Sequence, residues 1–154
     1  MSQIGIRPIH LATDDPSLRR EAHPIIQQIG DYVFPQDRNA LFNKTDVDGL
    51  GAFEDSTGHG SLAGVSLMRY LHSPTVGEPR ATIVALAVSR VLQGAGIGSE
   101  LLRETESTII KEGLSLVKIT PDEDSPRPGD LVRFFADRDY RITKSGLFVK
   151  RLTD

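Results

Sequence analysis

Ala81 to Val88, ATIVALAV, is almost continuously apolar, and only five residues separate it from the glycine-dense run Gly94-Ala95-Gly96-Ile97-Gly98. A strand without a polar face must be covered on both sides, so it predicts the central strand of a sheet with layers above and below. The glycines lead directly into IGSELLRETESTIIKEG, where Ile97, Leu101, Leu102, Ile109 and Ile110 recur at helical spacing and Gly113 stands as a natural stop. A glycine-rich entry to a helix leaves backbone N–H groups bare at the positive end of the helix dipole. That arrangement suits an anion, a phosphate above all.

Mixed elements surround this unit. IGIRPIH, Ile4 to His10, alternates apolar and polar residues and predicts a first strand. A helix should open near Thr13, Asp14 and Asp15, with Pro16 in its first turn and a break or kink at Pro24 that leaves two short pieces. LGAFED and SLAGVSLMRYL predict a hairpin around the STGHG turn. LSLVKIT predicts a strand, DLVRFFADRDY a helix, and RITKSGLFVKRL a closing strand, turn and strand. With no internal repeat and no linker, the pattern predicts one α/β (α+β) domain over residues 1–154. The net charge of −3 and the lack of a dense Lys/Arg run argue against a nucleic-acid partner. The chain has no cysteine, which excludes disulfides, Cys-ligated metal and a thiol nucleophile. His10, His23 and His59 show no metal-ligand spacing, so no metal is expected. Without an apolar signal core or membrane-spanning run, the expectation is a cytoplasmic protein with no membrane partner.

Three ligands compete for the glycine loop. A P-loop needs G-x-x-x-x-G-K-S/T, and no lysine follows Gly98. A dinucleotide fold needs G-x-G-x-x-G directly after its strand. Here the third glycine falls one place early, SRVLQ intervenes, and the next strand ends in Thr120 rather than an acid. Read as one unit, LAVSRVLQGAGIGSELL resembles the acyl-CoA-binding segment of the GNAT family of N-acetyltransferases. The family signature, Q/R-x-x-G-x-G/A, is met by Gln93, Gly94, Ala95, Gly96, Ile97 and Gly98. The element order is similar to the GNAT fold from end to end, and RFFADRDY with SGLFVKRL resembles the family's closing segment.

The resemblance implies a mixed central sheet flanked by helices, with acetyl-CoA, or another acyl-CoA, as co-substrate. It implies pyrophosphate contacts from Gln93 to Ser99, and main-chain contacts to the pantetheine arm from Leu86, Ala87 and Val88, with the Val88 N–H as oxyanion donor. The expected acceptor is a primary amine of a small molecule or peptide; the alternative is an acyl-CoA-binding sensor without turnover. Homodimerisation is common in the family. Where many members place a tyrosine that protonates the departing thiolate, this chain has Phe135, and Pro128 stands at the usual asparagine position. Tyr140 is a candidate acid, although its aligned position is ordinarily a packing one. His72 and Glu78, just before the apolar strand, are candidate bases, as are Glu54 and Asp55, which end another strand. Six acids between Asp31 and Asp55, interspersed with Tyr32, Phe34 and Phe42, would suit a cationic acceptor, or would simply form a solvated surface.

Overall fold

The computed structural model describes residues 4–12, 16–26, 46–55, 60–119 and 128–153. The apolar octapeptide lies in strand β4 (Arg80–Val88), fourth in a seven-stranded sheet. The other elements are β1 (Gly5–Ile9), α1 (Pro16–Ile26), β2 (Asp48–Phe53), β3 (Leu62–Leu71), α2 (Ile97–Lys111), β5 (Leu116–Ile119), α3 (Pro128–Ala136), β6 (Arg141–Ile142) and β7 (Phe148–Arg151). The sheet order is β1-β2-β3-β4-β5-β7-β6. β4 and β5 are parallel, and α2 makes the crossover that parallel neighbours require; the other neighbouring strands run antiparallel. This is the mixed, helix-flanked sheet expected from the sequence.

Both faces of β4 are covered. On one side Ile83, Leu86 and Val88 join Leu101, Leu102 and Ile109 of α2, with Phe135, Tyr140 and Phe148 completing that core. On the other, Ala85 and Ala87 join Leu18, Ala22, Ile25 and Ile26 of α1. Simple alternation would put Ile83, Ala85 and Ala87 on one face. A bulge prevents this: Leu67 pairs with Ala85 and Met68 with Ile83, so Val84 is an extra residue. One inserted residue flips the pleat and delivers Leu86 and Val88 to the α2 side. Parallel pairing with β5 covers only Ala81–Ile83, so β4 runs on past it to Val88. At Gly64 a Cβ would meet the Ala87 carbonyl at 2.9 Å and Leu101 at 3.0 Å, and its absence lets the first turns of α2 settle close against β3 and β4.

Some boundaries differ from the sequence expectation. α1 passes through Pro24 to Ile26 instead of breaking there; the expected second piece lies outside the described residues. α3 starts at Pro128, where a proline suits a first helical position, and ends at Ala136 rather than Tyr140. Its stop is a closed turn in which Asp139 N–H donates to the Ala136 carbonyl and Tyr140 N–H to the Phe135 carbonyl, with Asp139 at φ +69°. Gly113 ends α2 as expected: its own N–H and that of Leu114 return to the Ile110 and Ile109 carbonyls.

Candidate active site

Val88 faces Gly64 across β3, and the flanking bond runs from Ser89 N–H to the Ala63 carbonyl at 2.8 Å. That register makes Val88 a non-hydrogen-bonded pair, so its N–H and C=O, like those of Leu86, point away from β3 toward the side where β5 has diverged. The Val88 carbonyl accepts a 3.1 Å hydrogen bond from the Gln93 side-chain amide. Between them a short 3-10 turn at Arg90–Leu92, not foreseen in the sequence, reverses the chain. Gln93 therefore ties the end of the turn back to the strand.

Gly94 and Gly96 both have left-handed backbone, φ +88° and +84°, which L side chains rarely adopt. Gly96 is the N-cap of α2, and no side chain caps the helix. Glu100 N–H is the first to find a helical acceptor, the Gly96 carbonyl at 3.2 Å. The N–H groups of Ile97, Gly98 and Ser99 precede the helical ladder and head the helix dipole.

A cavity of about 200 Å³ gathers this geometry. Val88, Gln93, Gly94, Gly96, Ile97, Gly98 and Ser99 of the sequence-derived set all line it. Leu86 and Ala87 are buried in opposite cores; the main chain of Leu86 is turned to the open side, whereas Ala87, in the alternate pair with Val65, has its N–H and C=O turned to β3, contrary to the expectation from the sequence, and Ala95 is exposed outside the lining. Leu92, Phe134 and Arg138 are additions that sequence reasoning missed. The Arg138 guanidinium lies 3.8 Å over the Phe134 ring, donates to the Phe134 carbonyl at 2.7 Å, and donates to the Ser99 hydroxyl. The only sequence signal for it is the charged turn ADRDY, which does not single out one residue.

The candidate acids and bases are placed differently from the expectation. His72 and Glu78 flank the β3–β4 connection, where Leu71 pairs with Arg80; Val88 is eight residues further along, or about 25 Å. His72 lies 3.9 Å from the Glu112 carboxylate. Arg151 grips Glu78 with two hydrogen bonds of 2.7 and 3.0 Å, and those bonds hold its carboxyl below the usual range. Neither residue reaches the cavity. Glu54 and Asp55 follow β2 at the same end of the sheet as Val88. Of the acidic stretch, residues 31–45 lie outside the described residues, while Asp46 pairs with Arg69 and Asp48 with His10.

The aromatic residues divide by helical phase. Phe135 has 0% exposure and packs on Phe148 and Tyr140 at ring-centre distances of 4.8 and 5.5 Å, while Phe134 faces the cavity. Tyr140 is also a core residue. Its hydroxyl donates to Glu106 at 2.8 Å, and the same carboxylate accepts from Lys150 at 3.1 Å. Burial first, then the Glu106 charge, pushes the phenol above its ordinary range, and the residue is not among those that line the cavity. A raised native value means that the unfolded chain releases this proton first. The stabilisation is complete below about pH 10 and declines as the pH rises further. Urea midpoints measured from pH 8 to 11 should fall along that alkaline limb, and Tyr140→Phe should make the fall shallower.

The chain matches the model of the Acetyltransferase (GNAT) family over residues 15–140. No curated protein matches it in sequence. A GNAT-family acetyltransferase from Desulfovibrio desulfuricans superposes with a TM-score of 0.71 at 15% identity, covering 98% of this chain and 100% of that one. PaiA N-acetyltransferase from Thermoplasma acidophilum, in complex with coenzyme A, gives 0.70 at 16% identity, covering 97% and 99%. An aminoglycoside acetyltransferase from an uncultured soil metagenomic sample, in complex with sisomicin, gives 0.59 at 21% identity, covering 85% and 86%.

Proposed function

Because this chain belongs to the GNAT acetyltransferase family, we propose that it moves an acetyl group from acetyl-CoA to a primary amine of a small molecule or peptide. One observation carries the reading: a single cavity joins the end of β4 to the left-handed glycines and the head of α2. A Cβ built on Gly94 or Gly96 meets nothing within 4 Å, so the space above both is open to a pyrophosphate that side chains would obstruct. Acetyl-CoA supplies an activated acyl group. The chain supplies the rest. The N–H groups of Ile97, Gly98 and Ser99 hold the pyrophosphate in this reading, and the main chains of Leu86 and Val88 align the pantetheine arm. The Val88 N–H stands as donor to the thioester oxygen as charge builds on it, a kind of contact worth about 3 kcal/mol. Glu54 and Asp55, at the right end of the sheet, are the candidate groups for the proton of the incoming ammonium.

A second reading, an acyl-CoA sensor without turnover, is favoured by the α3 side of the cavity. Phe134 has no proton to give, and a guanidinium such as Arg138 keeps its own at neutral pH. Calorimetric titration with acetyl-CoA, with NAD and ATP as controls, should give one saturable site for acetyl-CoA alone. Amines should then release free CoA thiol. Binding without thiol release across a broad amine panel would support the sensor, and NAD binding in place of acetyl-CoA would overturn both.

A further inference from the structure

Ser66 of β3 and Thr105 of α2 are the only buried polar side chains among the described residues, each at 0% exposure. Their hydroxyl oxygens lie 2.7 Å apart, and Thr105 Oγ1 is also 2.7 Å from the Leu101 carbonyl. A carbonyl only accepts, and each hydroxyl has one proton to give. Thr105 therefore donates to Leu101, and Ser66 completes the chain by donating to Thr105. The rest of the core between α2 and the sheet is apolar. Apolar contact is non-directional, whereas a hydrogen bond fixes two atoms in distance and angle. Stability alone does not call for this bond, because an apolar pair of the same shape in its place is nearly neutral.

The place of the bond gives it a use. Ser66 faces Leu86 across β3 and β4, and Gly64, two residues earlier on the same face, faces Val88. Gly64 is also where Leu101 comes against the sheet. Leu101 and Thr105, one helical turn apart, thus rest on the two β3 residues paired with Val88 and Leu86, whose main chains are turned to the open side. From Thr105 the helix runs back to the N–H groups of Ser99, Gly98 and Ile97, about 9 to 12 Å along its axis. From Leu86, opposite Ser66, the strand reaches Val88 in about 7 Å. One buried bond stands between the two ends of the site.

Resting on the acetyl-CoA reading above, we propose that Ser66 and Thr105 are positioning residues for that ligand. Their bond sets where α2 stands along β3 and β4. It thereby sets the separation between the N–H groups at the head of the helix and the N–H of Val88. Neither residue lines the cavity, so both act through the elements they join. A ligand gripped at two ends gains from the second grip only where the spacing of the grips matches its own. The tolerance of such a site is about 0.5 Å, which a helix held by apolar contacts alone exceeds with a small slide. A ligand held only at the helix head is indifferent to that slide.

Calorimetry with two probes on the whole protein separates positioning from plain stability. Acetyl-CoA spans both ends of the site, whereas adenosine 3′-phosphate 5′-diphosphate, its nucleotide half, has no pantetheine arm to reach Val88. Thr105→Val should weaken acetyl-CoA about tenfold and leave the nucleotide half within about twofold. Thr105→Ser keeps the hydroxyl and should bind both probes as the wild type does. Ser66→Ala combined with Thr105→Val leaves no hydroxyl unpaired, so a thermal melt should return close to the wild type. Its acetyl-CoA affinity should stay about tenfold down. Unchanged acetyl-CoA binding, parallel loss of both probes in Thr105→Val, or recovery of affinity together with stability in the double variant would overturn the inference and leave the acetyl-CoA reading standing. A wild type that bound neither probe would overturn that reading, and the inference with it.

Discussion

Gly96→Glu should leave a folded protein with no measurable affinity for acetyl-CoA. Gly96 has φ +84°, and an L residue there costs about 1–2 kcal/mol. No steric penalty adds to that, since a Cβ meets nothing within 4 Å. The carboxylate would also lie at the head of α2, where no side chain caps the helix and a negative charge is welcome. Folding therefore survives. Binding does not, because the new carboxylate takes the N–H donors and presents negative charge to the incoming pyrophosphate. The loss should exceed about a hundredfold, since charge-assisted contacts are replaced by like-charge repulsion. Gly96→Ala carries the strain without the charge and should lose about tenfold at most. Calorimetry reads the affinity and a thermal melt confirms folding. A folded Gly96→Glu protein that bound acetyl-CoA normally would remove the glycine loop from the site.

The strand, glycine loop and α2 were legible because their signals are local: an unbroken apolar run, glycines where the backbone turns left-handed, and a helical stripe closed by Gly113. What escaped depended on tertiary register. Nothing in ATIVALAV marks Val84 as an extra residue; the bulge appears only when β3 is laid beside it. The Tyr140–Glu106–Lys150 cluster joins residues as far as 44 positions apart, so no window of sequence contains it. His72 and Glu78 were attractive for lying just before β4, but a strand entered at one end delivers its chemistry at the other. Arg138 has no signal of its own in the sequence, because one arginine in a charged turn looks like solvated surface until Phe134 and Ser99 hold it.

Phe135→Ala should be the most damaging of the aromatic substitutions for stability. Phe134 and Phe135 are adjacent, but about 100° of helical rotation sends one to the cavity and the other into the core. The Phe135 ring contacts Phe134, Phe148 and Tyr140, so it joins α3 to β7 and to the turn that carries Arg138. At 0% exposure its truncation leaves a cavity among rings that cannot all collapse, at a cost of about 3–5 kcal/mol. For a chain of this length the melting temperature should drop by about 10 °C. Acetyl-CoA affinity should weaken with it as the Arg138 turn loosens. Phe135→Tyr separates packing from chemistry: its hydroxyl enters the core and costs about 1–3 kcal/mol if it finds no partner. That variant should be less stable without faster thiol release, even though it places a tyrosine where the family resemblance implies one. Thermal melts and thiol-release rates on the two proteins read both effects. If Phe135→Ala melted within about 2 °C of the parent, α3 would be held by other contacts; a faster Phe135→Tyr would place that ring edge at the reacting thioester after all.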